Sequence, residues 1–160
     1  MQTFLPYEDF AASAAVLDRL RLGKQRVECL QLLNTFVKKR NGAGGGWMNH
    51  PALLMWEGHE IWLINYGVAV CDEWIARGYN DTTKSKIVQF KHEFDNNVVA
   101  PAWLGDTRVH QSHKAALLYK DVNYYSQFNW GVNPELNYFW PVTKNTKYET
   151  HNNRTETSRK

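Results

Sequence analysis

Apolar residues recur at spacings of three and four through most of this chain, the period of a helix with one buried face. A first helix is predicted after Pro6, with Asp9 in its opening turn and good helix formers from Ala11 to Leu17. A second runs from about Leu22 to Lys39, with Val27, Leu30, Leu33 and Val37 in helical register. The run Asn41-Gly42-Ala43-Gly44-Gly45-Gly46 breaks it and reads as a mobile loop. Asn49-His50-Pro51 has the form of a helix start. From Pro51 to Arg77 the residues Ile61, Ile64, Val68, Cys71 and Ile75 make the stripe of one long buried helix, closed by Gly78 as a left-handed cap. Within it, Gly58 and Gly67 either weaken the helix locally or permit close packing. Thr82 or Thr83 is placed to cap a shorter helix reaching about Phe94, and Asp106 to cap another over Thr107 to Asp121. Between them, residues 100–105 read as a connector. The aromatic stretch from Tyr124 to Trp140, interrupted by Pro134, is expected to wrap the helices as loop. No two strand-like runs are joined by a hairpin turn and no segment repeats, so the fold class is all-α. One domain is expected over residues 1–143, with a polar, disordered tail over 144–160.

Composition supports a packed core: 43% of residues are apolar and seven are Trp. Trp56, Trp62 and Trp74 are assigned to it. The net charge of +3 says little about partners, but its distribution says more. Residues 1–40 hold seven Lys/Arg against four Asp/Glu, and residues 144–160 hold five against two. The middle of the chain holds seven against ten, so positive charge collects at the two ends, as suits a polyanion-binding edge. Cys29 and Cys71 have apolar neighbours on helical patterns and read as buried thiols of a reducing compartment. No apolar run approaches the ~18 residues of a membrane span. No basic, then apolar, leader opens the chain. A soluble, intracellular protein is expected, with no cofactor.

The densest chemistry lies between Leu17 and Glu28. On a helical wheel Arg21, Lys24, Gln25, Glu28, Gln31 and Thr35 share one arc, and Leu22, Leu30, Leu33 and Val37 oppose it. Glu28 is the one carboxylate among the cations of that arc. It could exchange protons with a substrate whose phosphates Arg21 and Lys24 neutralise. The plainer reading is a solvated face with ordinary charge pairs. Arg26 falls among apolar residues, where an unpaired charge is costly. Either it forms an ion pair with an acid such as Asp72 or Glu73, or it lines the wall of a cleft.

His50, beside the Gly-rich loop and Lys38, Lys39 and Arg40, is read as a phosphate contact or a simple helix cap. His110 and His113 lie three apart near Arg108 and Lys114. Phosphate contact, a surface position and a shared metal are the three readings; no third and fourth ligands stand out, so no metal is expected. Trp47, Tyr124, Tyr125 and Trp130 could stack on bases, although aromatics in a small helical domain are more often core.

Three features carry a family resemblance. Asp18-Arg19 precedes Glu28 by about ten residues. The segment Trp47-Met48-Asn49-His50 leads into a long helix that closes on Arg77-Gly78-Tyr79-Asn80. Tyr124, Tyr125 and Trp130 mark an aromatic, basic C-terminal stretch. Over residues 1–140 the chain resembles the pyrimidine-dimer DNA glycosylases of the phage endonuclease V type, and within them a bacterial and phage subgroup that begins Met-Gln-Thr-Phe-Leu-Pro-Tyr. The resemblance implies a monomeric enzyme on double-stranded DNA that joins glycosylase to AP-lyase chemistry. A terminal amine, here that of Met1, attacks the sugar, Glu28 acts as acid and base, and a base is flipped out. In the family an Arg immediately precedes the Glu; here Val27 stands there and Arg26 is one place back, still a candidate for the catalytic group. Gln2 is bulky, so Met1 is expected to be retained. Arg19, Arg21, Lys24, Gln25, His50, His110, His113 and Lys114 are the expected DNA contacts. Two alternatives stay open: a DNA-binding module without catalysis, and a metal-dependent nuclease using His110 and His113.

Overall fold

The computed structural model describes residues 1–94 and 99–149. Seven α-helices and two short 3-10 turns make up its regular structure, and no strand occurs among the described residues, as the all-α expectation requires. Helix α1 spans Phe10–Val16 and α2 spans Arg19–Arg40. Asp9 caps the first, accepting from the Ala12 amide at 2.7 Å, and Asp18 caps the second, accepting from the Arg21 amide. Only Leu17 and Asp18 separate the two, so α2 begins three residues before the periodicity places it. Lys38, Lys39 and Arg40 in its last turn suit the negative end of the helix dipole.

The long helix expected from Pro51 to Arg77 is two helices, α3 over Pro51–Leu54 and α4 over Glu60–Ala76. Between them Gly58 takes a φ of 82°, a left-handed conformation that favours glycine, and its amide donates to Glu60. The break turns Met55 and Trp56 inward, where both are buried. A stripe of apolar residues runs across the break in the sequence because both segments face the core. Gly78 does close α4's end, at a φ of 91°.

Helix α5 spans Lys84–Gln89 and continues as a 3-10 turn over Phe90–His92. Neither Thr82 nor Thr83 caps it through its side chain. Asp81 does, taking the amides of Thr83 at 3.2 Å and Lys84 at 2.8 Å. Helix α6 spans Thr107–Lys120, with Asp106 as its cap as expected. The aromatic segment contains a short helix, α7 over Val122–Tyr125, and a 3-10 turn before it becomes irregular chain along α6. There the Glu135 amide meets the Ala115 carbonyl and the Phe139 amide meets the Ser112 hydroxyl. Of the polar tail, Tyr148 packs on the core and donates to Asp106; residues 150–160 lie outside the described residues.

The core sits between α2 and α4. Leu22, Cys29, Leu32, Leu33 and Phe36 meet Leu63, Tyr66, Val70 and Cys71, all buried. Both cysteines are free and buried, in line with the sequence reading. Gly67 allows the helices to approach this closely: a Cβ there would stand 2.5 Å from the Cys29 sulfur. The buried face of α2 differs from the wheel in one consequential place. Gln25 belongs to it, while Val27 is exposed and Leu30 and Val37 are half-buried. Trp56 is fully buried; Trp62 and Trp74 are only half-buried.

Candidate active site

Residues 2–6 form an extended arm that is buried throughout. Such a segment must find partners for its backbone outside any helix or sheet; side chains from α2, α4 and α6 supply them, and Trp56 holds the Thr3 side chain. Gln25 on α2 donates through Nε2 to the Gln2 carbonyl at 2.8 Å and accepts through Oε1 from the Phe4 amide at 2.9 Å. Tyr66 on α4 shares its one hydroxyl hydrogen between the Phe4 carbonyl at 2.9 Å and Gln25 Oε1 at 2.7 Å. Trp56 donates to the Thr3 hydroxyl at 3.0 Å. On α6, His113 Nδ1 accepts from the Leu5 amide at 2.9 Å, and His110 Nδ1 meets the Leu5 carbonyl at 2.7 Å.

The arm ends at the wall of an open cavity of about 430 Å³. Met1, Gln2 and Phe4 line it from the arm; Leu20, Arg21, Lys24, Gln25 and Glu28 line it from α2. Lys120 at the end of α6, with Leu136 and Tyr138 beyond it, closes the far side. Glu28 is half-buried, and its Oε2 accepts from Gln25 Nε2 at 3.0 Å. The same amide nitrogen therefore holds the carboxylate and the carbonyl of Gln2, one peptide away from the Met1 amine. Three cations, Arg21, Lys24 and Lys120, surround the one carboxylate of the cavity wall.

The electrostatics follow from this crowding. Burial pushes the Tyr138 phenol up to about 12, with Arg21 opposing and Glu28 reinforcing, so it stays protonated at physiological pH. Burial alone would raise the Asp18 carboxyl, but hydrogen bonds from Tyr125 and Arg21 outweigh it and hold the group below the usual range. The charged Asp18 in turn fixes Arg21 at 3.1 Å on the edge of the cavity. His50 is lowered by burial and then by the positive charge of the Met1 amine, which places the histidine within that amine's field. It caps α3, its Nδ1 accepting from the Ala52 amide, so its ring proton sits on Nε2. Trp47 and Trp140 flank the ring, at 5.3 and 5.7 Å between centroids.

The structure thus brings together Met1, Arg21, Lys24, Gln25 and Glu28 and sets other candidates apart. Arg26 does not line the cavity. It pairs with Asp81 and lies over the Trp74 ring at 4.2 Å, so the ion-pair reading holds with a different acid from Asp72 or Glu73. Two residues before Glu28 is a rotation of about 200°, which carries Arg26 to the other side of the helix. Gln25 is buried to 2% exposure, and its amide is spent on ties within the protein. His110 and His113, expected as DNA contacts, are buried at 7% and 0% and face the arm; their Nδ1 atoms are committed to Leu5. Arg19 is exposed over the Tyr79 ring, and Lys114 reaches the Tyr7 ring at 5.0 Å. No group of three or more potential metal ligands occurs among the described residues.

Lys120, Leu136 and Tyr138 went unremarked in the sequence. They reach the cavity only through the return of the chain along α6, and nothing local distinguishes them. A larger cavity, about 670 Å³, opens elsewhere between Phe10, Trp62 and Leu104. Glu8 and Asp9 line it and no cation does, so it does not suit a polyanion.

Fold and site define a small helical protein that offers one carboxylate and a ring of cations at an open cavity beside Met1. A family model described as pyrimidine dimer DNA glycosylase matches residues 1–87, more than half of the chain, and the chain belongs to that family of DNA-repair glycosylases. No curated protein and no solved structure matched. The matched part holds the arm and helices α1 to α4, and so Arg21, Lys24, Gln25 and Glu28; Lys120 and Tyr138 lie beyond it. No helix among the described residues is long and apolar enough to cross a membrane.

Proposed function

We propose that this protein excises a damaged or modified pyrimidine from double-stranded DNA and then cleaves the strand through an imine at the Met1 amine. The observation that carries this reading is that Met1 and Glu28 share one cation-lined cavity, where Gln25 bonds both Glu28 and the Gln2 carbonyl next to Met1. The neutral amine attacks C1′ of the sugar, and the C1′–N bond breaks as the base leaves with its electron pair and takes up a proton. A proton passes from the bound amine to O4′ as the C1′–O4′ bond breaks and the nitrogen lone pair forms the C=N bond, leaving a ring-opened protonated imine. Glu28 takes the C2′ proton, the electrons form a C2′–C3′ double bond, and the 3′ phosphate departs. Water then releases the amine. An uncharged primary amine with its lone pair free is the nucleophile this step requires. Arg21, Lys24 and Lys120 hold phosphates flanking the reacting sugar.

The test is borohydride trapping on a duplex carrying an abasic site. A covalent adduct that survives EDTA and disappears when the Met1 amine is acetylated supports the reading. Binding without an adduct points to the non-catalytic module, and cleavage abolished by EDTA to the nuclease.

Salt dependence supplies a second check. Affinity for undamaged duplex is expected to fall steeply as salt rises. Arg21→Ala, Lys24→Ala and Lys120→Ala should each flatten the log–log slope by about one unit, the loss of one phosphate contact. A parent protein whose affinity ignores salt has no such contacts to lose.

A further inference from the structure

We infer that Gln25 is a positioning residue of the reaction, the side chain that sets the Met1 amine and the Glu28 carboxylate in register with each other. This rests on the function proposed above. A glutamine amide has two donors and two acceptor lone pairs, and here all four are used. Oε1 takes the Phe4 amide at 2.9 Å and the Tyr66 hydroxyl at 2.7 Å. Nε2 gives one hydrogen to the Gln2 carbonyl at 2.8 Å and the other to Glu28 Oε2 at 3.0 Å. The Phe4 amide on the Oε1 side fixes the orientation of the side chain, because a flipped amide would set NH2 against the Phe4 N–H.

Two placements follow from that one amide. The arm is held one peptide from its amine, and Glu28 is held by a single oxygen, which leaves Oε1 for the proton of the substrate. Glu28 is half-buried at an open wall, where an untethered side chain would sample several rotamers. Gln25 itself is 2% exposed with both amide atoms already engaged, so it acts through its two partners. A displacement of about 1 Å between reacting groups costs on the order of 100-fold in rate.

The experiment compares the full chain with Gln25→Glu and Gln25→Asn, in single-turnover strand cleavage on an abasic duplex. Gln25→Glu keeps both acceptor contacts but loses both donors and sets a carboxylate against Glu28. We expect its rate at pH 7.5 to fall about 100-fold, with duplex affinity within about two-fold of the parent. As the pH is lowered toward 5, the introduced acid gains a proton to donate, and its rate relative to the parent at the same pH should rise. Gln25→Asn keeps the amide but is one methylene short of its span. It should be similarly slow, with no recovery in acid. A Gln25→Glu variant at parental rate overturns the inference and leaves the proposed function standing. So does a variant whose rate, affinity and melting temperature fall together, since that marks a purely structural amide. A parent protein that forms no adduct and cuts no strand overturns the proposed function itself, and this inference with it.

Discussion

Replacing Glu28 with Gln is expected to lower strand cleavage at an abasic site by about 10²–10⁴-fold, the range removed with a general base. Affinity for the duplex should hold or rise slightly, since the change removes the one negative charge from a cavity edged by Arg21, Lys24 and Lys120. The fold has little to lose. Glu28 is half-buried, and its hydrogen bond from Gln25 can be accepted equally well by a glutamine oxygen. What a glutamine cannot do is take the C2′ proton. Glu28→Asp keeps the carboxylate but withdraws it by one methylene, so its rate should fall between the two. Single-turnover rates, with melting temperature and duplex affinity measured on the same samples, check this. A Glu28→Gln protein that cleaves near the parental rate would assign the proton transfer to another group.

The second large effect is on stability in acid. His113 is fully buried, its Nδ1 accepts the Leu5 amide, and its Nε2, which must carry the ring proton, has no partner among the described residues. Burial, and then the charge of His110, lower its pKa to about 3. In the unfolded chain a histidine titrates near 6.5. Between those values the unfolded state binds the proton and the folded state does not. Stability therefore falls as the solution is acidified through this window, by up to about 1.4 kcal/mol per pH unit, or roughly 3 kcal/mol by pH 4 from His113 alone. His110, also lowered by burial, acts in the same direction. Asp18, Asp81 and Asp106 have lowered pKa values too, but their contribution is complete above the unfolded value of 3.8 and is lost only below it. Losses between pH 6.5 and 4 thus belong to the histidines.

Protonation at Nδ1 also removes the acceptor for Leu5, so the arm should loosen before the helices melt. Urea unfolding at pH 7.5, 6.5, 5.5 and 4.5 measures the slope. His113→Asn offers an uncharged acceptor near the Nδ1 position, and should flatten the slope by about one proton. A parent protein equally stable at pH 7 and 4.5 would contradict the account.

Local chemistry was legible wherever the answer lay within a few residues. Asp9 and Asp106 cap helices because a short acidic side chain can reach back to amides two or three positions on. Gly78 closes α4 because only glycine takes a positive φ freely. The break at Gly58 was harder to read, because the apolar residues on both sides of it face the same core. Asp81 was missed as a cap for the opposite reason: Thr82 and Thr83 have equal local claims, and Arg26, fifty-five positions earlier, holds the acid in place.

The wheel for α2 placed Arg21, Lys24 and Glu28 on one face, and the cavity bears that out. It placed Gln25 with them by its angle on the helix, as part of a polar face. Burial became tolerable only when the arm and Tyr66 supplied a partner for every polar atom of its amide. The same reason moved His110 and His113 inside, where the backbone of Leu5 occupies their Nδ1 atoms.

By itself, then, the sequence determined the helical class, most helix ends and the face carrying Glu28, since these depend on periodicity and short-range hydrogen bonding. Tertiary structure alone decided that Met1 and Glu28 line one cavity, that Lys120 and Tyr138 complete it, and that Arg26 faces away. Those outcomes depend on which distant groups satisfy a buried arm that has no ladder of its own, and side-chain partners more than twenty residues off leave no period in the chain.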